Sequence, residues 1–408
     1  MDIAIVGYGT AGQAAARLLQ RPGHRLDLFE RAPRPRPVGA GLLLQPTGLA
    51  VLDELGLRNA ALACGEPVQR LCGDTVSGRR VIDMDYAHLG LGCGLGIQRG
   101  ALFELLRDAS VERHLHAGTA IVDIDAQRGE LRDDAGRRHG PYDLVLVCGG
   151  AASALRPAAL TRRDRPYAWG ALWTLCADPQ RRFQAQLLQR YDGPRRMAGL
   201  VPVGVLPRES AAERKIGFFW SLPVRELDAA LARGVDAWRA DVVSFWPDVA
   251  PLLDSVTDVR QLMPAQYRDA ILRRFHDGRV AWLGDAAHAM SPQLGQGANM
   301  ALLDAAALAQ AVEECAGVPA ALRRYDRERR SHVAIYQFVS RWLTPLFQSE
   351  LDWAGRLRDI GFGRFAKLPV LRGETLKVLA GVKRGLFGSV AAGRRHVRRI
   401  GEIAETYK

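Results

Sequence analysis

The chain has 408 residues; 48% are hydrophobic, 25% are charged, and 56 Lys and Arg against 44 Asp and Glu give a net charge of +12. These values are those of a folded protein with more than one domain, and they exclude a largely disordered chain. No apolar run approaches the roughly 18 residues of a membrane-spanning helix, and Met1-Asp2 leads into a strand without the basic segment of a signal peptide, so we expect a cytoplasmic protein.

The cysteines indicate the redox compartment of the protein, and the basic residues indicate which partners it attracts. Six cysteines are scattered along the chain and none forms a C-x-x-C pair, which favours a reducing compartment and predicts no disulfide framework and no metal site. The positive charge attracts anionic substrates, acidic carriers and anionic lipids. No recognition motif accompanies this charge, so we expect no nucleic-acid partner.

The first thirty residues carry a dinucleotide-binding pattern. A strand is predicted over Asp2–Val6, a glycine turn of sequence GYGTAG follows at residues 7–12, and a helix is predicted over Gln13–Leu19. Strand, G-x-G-x-x-G and helix in this order form a tight turn that lets a pyrophosphate approach the backbone. A second strand, Arg25–Phe29, ends at Glu30, whose carboxylate can accept both ribose hydroxyls of an adenosine.

Loops and short helices are predicted next. Arginine and proline alternate over residues 31–37, which excludes a helix or a central strand. A turn with Gly39 and Gly41 follows, and Thr47 is predicted to cap a helix over Gly48–Leu55. Residues 97–99 then open a helix predicted over Ala101–Ala109.

The middle of the chain is predicted to be rich in strands. Strands are expected over Ala120–Ile124, Gly129–Arg132 and Tyr142–Val147, the last of which is fully apolar and leads into the segment CGGAASALR at residues 148–156. Aromatic-rich strands follow between residues 167 and 223, and helices are predicted over Ser221–Trp246 and Asp248–Leu253. Four aromatic residues of these strands either wall a planar apolar pocket or form a plain aromatic core: Trp169, Trp173, Phe218 and Trp220.

A second glycine-rich turn lies in the last third of the chain. The strand Val280–Leu283 ends in Gly284-Asp285, and a turn rich in glycine feeds a helix predicted over Met300–Cys315. Glycines at a helix start let backbone N–H groups approach a polar or anionic atom, which the helix dipole favours. For His288 in this turn, a structural hydrogen bond is favoured over a catalytic role.

The C-terminal region is predicted to be helical. Pro319–Trp342 carries many charges, and Val370–Ile400 is both apolar and basic. A basic amphipathic helix suits the surface of a membrane or an acidic partner; alternatively it packs on the protein with its charged face in water.

The pairing of two motifs resembles a known family. G-x-G-x-x-G at residues 7–12 and GDAAH-x-x-x-P-x-x-G-Q-G-x-N at residues 284–299 resemble the FAD-dependent monooxygenases of the aromatic hydroxylase type, with the p-hydroxybenzoate hydroxylase-like fold. The resemblance implies an α/β (α+β overall) fold with a Rossmann-type FAD-binding domain, a mixed β-sheet substrate domain and a helical C-terminal region. The expected domains are FAD-binding 1–75, 97–165 and 269–318, substrate-binding 76–96 and 166–268, and helical 319–408.

The same resemblance implies which residues contact FAD. Asp285 would hold the ribityl chain, the turn from Pro292 to Asn299 would lie against the flavin pyrimidine, Arg99 would bind ribityl or phosphate oxygens, and the Val122 backbone would pass the adenine. The full set of expected contacts is Gly7, Gly9, Thr10, Ala11, Gly12, Glu30, Arg31, Gly41, Arg99, Val122, Asp285, Pro292, Gly295, Gly297, Ala298 and Asn299.

Residues 148–156 resemble the family's G-A-D-G-x-x-S-x-x-R segment but depart from it. Gly150, Ser153 and Arg156 match, whereas Gly149 stands where the family has aspartate and Cys148 where alanine is usual. Because the family uses this segment to engage the nicotinamide donor, the loss of the carboxylate is consistent with an altered donor preference, a separate reductase or local drift.

The resemblance implies an oxygenation reaction. NAD(P)H would visit transiently and reduce FAD, O₂ would form a C4a-hydroperoxide, and one oxygen atom would pass to an aromatic or other electron-rich small molecule. A flavin-dependent halogenase is disfavoured because no W-x-W-x-I-P segment occurs and residues 151–205 contain no lysine. A flavin-binding partner subunit without turnover is the third alternative, and no general base is assigned. A peripheral contact with the inner face of the membrane stays an option.

Overall fold

The structure is a computed structural model that describes residues 1–36, 39–90, 92–210, 213–365, 369–385 and 388–389. In chain order its strands are β1 (Asp2–Val6), β2 (Arg25–Glu30), β3 (Gly41–Leu44), β4 (Glu66–Val68), β5 (Arg70–Thr75), β6 (Arg80–Asp85), β7 (Gly94–Gln98), β8 (Leu115–Ala117), β9 (Ile121–Asp125), β10 (Glu130–Asp133), β11 (Arg138–His139), β12 (Leu144–Val147), β13 (Thr161–Ala177), β14 (Gln186–Asp192), β15 (Arg196–Gly204), β16 (Lys215–Pro223), β17 (Met263–Leu272), β18 (His276–Asp277), β19 (Val280–Trp282), β20 (Lys383–Arg384) and β21 (Gly388–Ser389).

The α-helices alternate with these strands and then dominate the C-terminal region. They are α1 (Thr10–Leu19), α2 (Pro46–Glu54), α3 (Arg58–Cys64), α4 (Arg99–Leu106), α5 (Ala109–Glu112), α6 (Leu227–Ala232), α7 (Gly234–Phe245), α8 (Ala250–Leu253), α9 (Asp285–His288), α10 (Gly297–Glu314), α11 (Val318–Phe347), α12 (Asp352–Phe365) and α13 (Pro369–Leu379). None of the helices among the described residues combines the length and the apolar character needed to cross a bilayer.

A six-stranded sheet of order β18-β19-β12-β1-β2-β8 forms the first part of the fold and contains the predicted dinucleotide-binding strands β1 and β2. Its central strands are parallel, with Ile3 of β1 opposite Leu144 of β12 and Leu26 of β2. All four residues of β12 are buried, as expected for a parallel strand covered on both faces. Helices α1 and α10 pack against each other beside this sheet, which brings the two predicted glycine turns to the same edge.

A seven-stranded mixed sheet of order β17-β13-β16-β15-β14-β5-β6 forms the second part. Helices α6, α7 and α8 cover one of its faces through a core that includes Leu172, Phe218 and Trp238. The small sheet β3-β7-β4 approaches the other face. The predicted α/β fold class is confirmed. The expected domain boundaries stay predictions. Strand β5, which lies within the expected FAD-binding range 1–75, joins the seven-stranded sheet, and β17 extends to Leu272, past the expected substrate-domain end at residue 268.

Several predicted element bounds are wrong for identifiable reasons. The helix predicted over Ser221–Trp246 starts too early, because β16 continues through Pro223, which pairs with Trp169, and Gly234 with φ of +84° separates α6 from α7. Helix α4 starts at Arg99 and ends at Leu106, short of the predicted Ala109.

The predicted basic helix Val370–Ile400 is also wrong in extent. Helix α13 ends at Leu379 and is followed by Gly381, whose φ of +81° ends regular helix, and then by the short pair β20 and β21. Residues 390–400 lie outside the described residues.

Candidate functional site

The glycine turn after β1 combines close packing with open space. Gly7 has φ of +106°, and a Cβ there would lie 2.5 Å from the Cys148 carbonyl oxygen, while a Cβ on Gly12 would lie 1.9 Å from the Gly7 oxygen. A Cβ on Gly9 would meet nothing within 4 Å. Helix α1, which begins with Thr10 and Ala11, has no side-chain cap in the described structure, so its first N–H groups are available to an anion.

Glu30 lies at the carboxyl end of β2, beside this turn. Its carboxylate accepts the Tyr8 N–H and the Ala32 N–H, each at 2.9 Å. These bonds fix the orientation of the carboxylate and leave lone pairs on both oxygens. The side chain of Arg31 is exposed next to it. The geometry is compatible with the predicted ribose contact of Glu30.

Gly284 and Asp285 lie between the first turns of α1 and α10. Gly284 has φ of +59°, and a Cβ there would lie 3.2 Å from the Ala301 Cβ and 3.5 Å from the Ala11 Cβ. Asp285 is partly exposed, and its Oδ1 lies 3.8 Å from the position of a Cβ on Gly297. Helix α10 also begins without a side-chain cap in the described structure. The structure therefore brings the two helix starts and this carboxylate to one place.

The turn that precedes α10 is tied to the turn around β3 by Asn299. Its side-chain oxygen accepts the Gln45 N–H at 2.9 Å, and its amide nitrogen donates to the carbonyls of Leu43 and Gly295, both at 3.2 Å. Pro292 and Gly295 are exposed and Ala298 is partly buried. Because the Asn299 amide binds the protein backbone, this residue holds the two turns together, and its contact with FAD stays a prediction.

The remaining predicted FAD contacts, Gly41, Arg99 and Val122, differ in how exposed they are. A Cβ on Gly41 would lie 2.5 Å from Val203 Cγ1, so this glycine allows β3 to approach β15. Arg99 starts α4, donates its backbone N–H to Ala40 at 3.0 Å and has an exposed side chain. Val122 lies in the separate sheet β11-β10-β9 and is 49% exposed.

Arg156 connects the CGGAASALR segment to the Asp285 turn, a role that the sequence analysis did not assign. Its buried guanidinium donates to the carbonyls of Ala286 (2.8 Å) and Asp285 (3.0 Å) and pairs with Asp164 (3.0 Å). Burial lowers the pKa of Arg156, and Asp164 opposes this effect. The match of Arg156 to the family segment was the available signal.

A side chain at Gly149 would meet the Ser153 side chain closely, and a small shift of Ser153 would make room for it. A Cβ there would lie 3.0 Å from Ser153 Oγ, and this buried hydroxyl has no hydrogen-bond partner among the described residues. The position that carries a carboxylate in the family is exposed and lies beside this hydroxyl.

Asp304 on α10 organises a buried polar network behind the Asp285 turn. Its carboxylate accepts the Gly284 N–H (2.7 Å) and pairs with His288 Nε2 (2.6 Å) and Arg329 Nε (2.6 Å). Burial alone would raise its pKa, but His288 and Arg329 outweigh burial and hold the pKa of Asp304 at about 2. Arg329 also contacts His332. His288 thus makes a buried hydrogen bond, as the sequence favoured.

The segment after α13 lies over the same turns. The Gln296 amide donates to the Leu379 carbonyl at 2.5 Å, and the Thr47 hydroxyl to the Ala380 carbonyl at 3.3 Å. The predicted capping role of Thr47 is therefore wrong: α2 begins with Pro46, and the Thr47 hydroxyl binds the C-terminal segment instead.

A small apolar cluster lies between β3, the seven-stranded sheet and this C-terminal segment. It includes Leu43, Val203, Leu379 and Tyr86. The Tyr86 hydroxyl donates to Gln45 Oε1 at 2.6 Å, and the Gln45 Nε2 group is buried without a partner among the described residues. An unpaired buried donor is rare in a folded protein, so Gln45 fits a ligand acceptor at this position.

Two of the four predicted pocket aromatics lie on the face of the seven-stranded sheet that β3 approaches. Trp173 lies 5.0 Å from Phe219, measured between ring centroids, and its indole N–H donates to the Tyr267 hydroxyl at 3.0 Å. Trp169 lies on the same face by the strand register. These residues can contribute to the wall of a substrate cavity.

Phe218 and Trp220 lie on the opposite face, which corresponds to the alternative of a plain aromatic core, although Trp220 also lines a cavity together with Trp169, so the pocket role of these residues stays a prediction. Phe218 contacts Trp238 with ring centroids 6.0 Å apart, and Trp220 contacts Phe245 at 5.0 Å, both in the core beneath α7. The physical reason is strand alternation: Trp173 pairs with Phe219, and the residues on either side of Phe219 point away.

The residues of this site fit FAD. Two uncapped helix starts suit the charge of a dinucleotide, open space at Gly9 allows close approach, Glu30 and Asp285 offer acceptors for hydroxyl groups, and Gln45 has a donor without a partner in the described structure.

Comparisons with known proteins agree with this fit. A family model described as FAD binding domain matches residues 1–337. Aurachin C monooxygenase/isomerase of Stigmatella aurantiaca is 28% identical over 336 residues, covering 81% of this chain and 85% of the relative. The 3-amino-4-hydroxybenzoate 2-monooxygenase of Streptomyces cremeus is 30% identical over 363 residues, covering 81% and 84%.

A solved structure shares the fold. Klebsiella pneumoniae HpxO complexed with FAD and uric acid matches with a TM-score of 0.78 and 21% identity over 93% of this chain and 97% of that chain. The family model spans most of the chain, and the relatives are named monooxygenases. The chain therefore belongs to the FAD binding domain family and is an FAD-dependent monooxygenase of the aromatic hydroxylase type.

Proposed function

We propose that the protein uses NAD(P)H and O₂ to hydroxylate a flat, electron-rich aromatic small molecule. The observation that carries this proposal is the convergence of two uncapped helix starts with Asp285 between them. Bound FAD would supply two-electron reduction and oxygen activation, which protein side chains alone do not provide.

The residues of the chain would bind FAD and orient it. The first turn of α1 would hold the pyrophosphate, Glu30 the adenosine ribose and Asp285 the ribityl hydroxyls, while the start of α10 would stabilise negative charge on the flavin pyrimidine. Arg156 and Asp304 act as positioning residues, because both bind the backbone at residues 284–286.

Apolar and aromatic residues near the site support the proposal of a flat aromatic substrate. Leu43, Val203 and Leu379 with Trp173 and Phe219 would exclude water, which protects a reactive oxygen species from wasteful decay. The named relative acts on 3-amino-4-hydroxybenzoate, and the HpxO structure contains uric acid; both compounds are flat and carry ring nitrogen or oxygen substituents. A substrate of this class fits the same walls.

A cytoplasmic location with a membrane-surface or acidic-carrier contact through the basic C-terminal region is a separate proposal. It is supported by the basic residues after position 370, most of which lie outside the described residues.

The central test combines cofactor content and oxygen incorporation. We expect the purified protein to contain FAD, Asp285→Ala to lose most of it, and the exposed control Asp236→Ala to retain it. With phenols, quinolones and purines as candidates, NAD(P)H oxidation under ¹⁸O₂ should yield product one labelled oxygen heavier. Full FAD retention by Asp285→Ala would refute the site, and NAD(P)H oxidation that yields only hydrogen peroxide with every candidate would refute the substrate class.

A further inference from the structure

Exposed apolar side chains are concentrated in one part of the described chain. Among the residues that the structure describes, eight large hydrophobic side chains are at least 45% exposed, and six of them lie between residues 338 and 360, at the end of α11, just before α12 and on α12. We call these six the apolar patch: Phe338 (52%), Trp342 (69%), Leu351 (45%), Trp353 (63%), Leu357 (58%) and Ile360 (52%).

Five of these residues are helical, and their spacing places them on one face of each helix, whereas Leu351 lies between the two helices. Phe338 and Trp342 are one turn apart on α11, with ring centroids at 6.1 Å. Trp353, Leu357 and Ile360 follow an i, i+4, i+7 pattern on α12, which defines a single apolar stripe.

The opposite side of α12 is firmly anchored, so the exposed stripe is not an unpacked core face. Arg358 is fully buried and donates to the Gly193 and Leu346 carbonyls, both at 3.1 Å. Phe362 contacts Phe347 of α11 with ring centroids 5.9 Å apart. Helix α12 therefore uses one face for the protein and presents a second apolar face to the outside.

The charges around the patch favour an anionic partner. The carboxylates between residues 350 and 359 are paired, as Arg225 with Glu350 (2.7 Å), Arg195 with Asp352 (3.1 Å) and Arg358 with Asp359 (2.6 Å). Exposed arginines lie on the same two helices, at Arg323, Arg327 and Arg356; Arg330 is also exposed but pairs with Asp326 at 3.3 Å. The surface is thus neutral to positive, on a chain with a net charge of +12.

We propose that the apolar patch docks on an anionic lipid surface. Tryptophan and phenylalanine would enter the headgroup level while the arginines contact lipid phosphates, because indole rings and guanidinium groups are both stable at that interface. A second copy of the chain is a poorer occupant, since two molecules with a charge of +12 repel each other.

The test uses the full-length FAD-bound protein and sedimenting vesicles. One set contains equimolar phosphatidylglycerol and phosphatidylcholine, and the other only phosphatidylcholine. The variant is Trp342→Ser with Trp353→Ser, and the matched control is Val76→Ser, which alters an exposed apolar residue elsewhere. Flavin absorbance and circular dichroism check that each variant is folded.

We expect wild type and Val76→Ser to bind the anionic vesicles, less so at high salt, and the double variant to bind at least about tenfold more weakly. Equal binding by wild type and the double variant would overturn the proposal and assign the contact to another basic segment. Absence of binding to anionic vesicles would also overturn it. A dimer in analytical ultracentrifugation that the double variant loses, without vesicle binding, would assign the patch to a second copy instead.

Discussion

Replacing Asp304 with asparagine removes a buried negative charge while preserving the shape of the side chain. In the folded protein this carboxylate receives three donors, from Gly284, His288 and Arg329, and is fully buried. Asparagine retains one acceptor oxygen, but its amide nitrogen is a donor and would face His288 or Arg329, which are donors as well. The Arg329 guanidinium, whose side chain is 5% exposed, would then lack its buried counter-charge.

The expected magnitude follows from the burial of the pair. Removing one partner of a buried ion pair costs about 3–5 kcal/mol in the free energy of unfolding, and because one acceptor survives we expect about 3 kcal/mol. The pKa of Asp304 gives a similar value: the difference between about 2 and the ordinary 3.8 corresponds to about 2 kcal/mol of stability. Since the folded pKa is depressed, this stability is present above about pH 4 and is lost as the pH falls toward 2.

Guanidinium unfolding at pH 7, followed by tryptophan fluorescence, measures this loss. Asp326→Asn is the matched control, because Asp326 is also buried and accepts the Phe275 N–H at 2.8 Å, but its partner Arg330 is about half exposed. We expect the control to lose no more than about 1 kcal/mol. Equal losses in Asp304→Asn and Asp326→Asn would refute the claim that Arg329 depends on this carboxylate.

Further outcomes separate packing from ligand contact. Gly12→Ala should destabilise the FAD-free protein, because its Cβ would meet the backbone. Gly9→Ala should leave the melting temperature unchanged but weaken FAD binding in titrations. Equal melting temperatures of the two FAD-free variants would contradict this expectation. Burial and Arg329 hold the pKa of His332 well below 6.5, so stability should fall by about 1.4 kcal/mol per pH unit below pH 6.5, and His332→Gln should flatten that slope in urea unfolding at pH 7.5 and 5.5. Gly149→Asp should alter the kinetics of NAD(P)H oxidation; unchanged donor kinetics would show that the position does not act on the donor.

The nucleotide-binding part was predictable because local sequence and tertiary packing demand the same residues. The strand Asp2–Val6 is confirmed, and the glycines at residues 7 and 12 lie where any side chain would meet the backbone. Strand Val280–Leu283 and the helix after it are confirmed within three residues of their predicted ends. Local sequence patterns are sufficient to predict a turn when the turn has few alternative conformations.

The arrangement of the second sheet was less predictable because it depends on register between distant strands. Alternation within β13 and β16 shows which residues share a face, but only their pairing reveals that Trp173 and Trp220 lie on opposite faces. Likewise, Ser221–Pro223 stay in a strand because β13 supplies hydrogen-bond partners from residues far away in the chain.

The buried polar network was missed although one signal was present. Asp304 is a lone carboxylate within the apolar sequence MALLDAAALA of α10. A charge in such a run implies a buried partner, but the partner, Arg329, lies one helix later and is one of several arginines there, so the sequence does not single it out.

The strand order of the six-stranded sheet joins segments that are synthesised at very different times. The amino-terminal glycine turn leaves the ribosome first, whereas β19 and Asp285 are translated about 270 residues later, a delay of roughly 15–60 s at typical elongation rates. Until then β12 lacks its neighbour β19, so the backbone groups along that edge of the sheet have no strand partner. If Asp285 contacts FAD as proposed, the complete FAD site forms only after most of the polypeptide has been made.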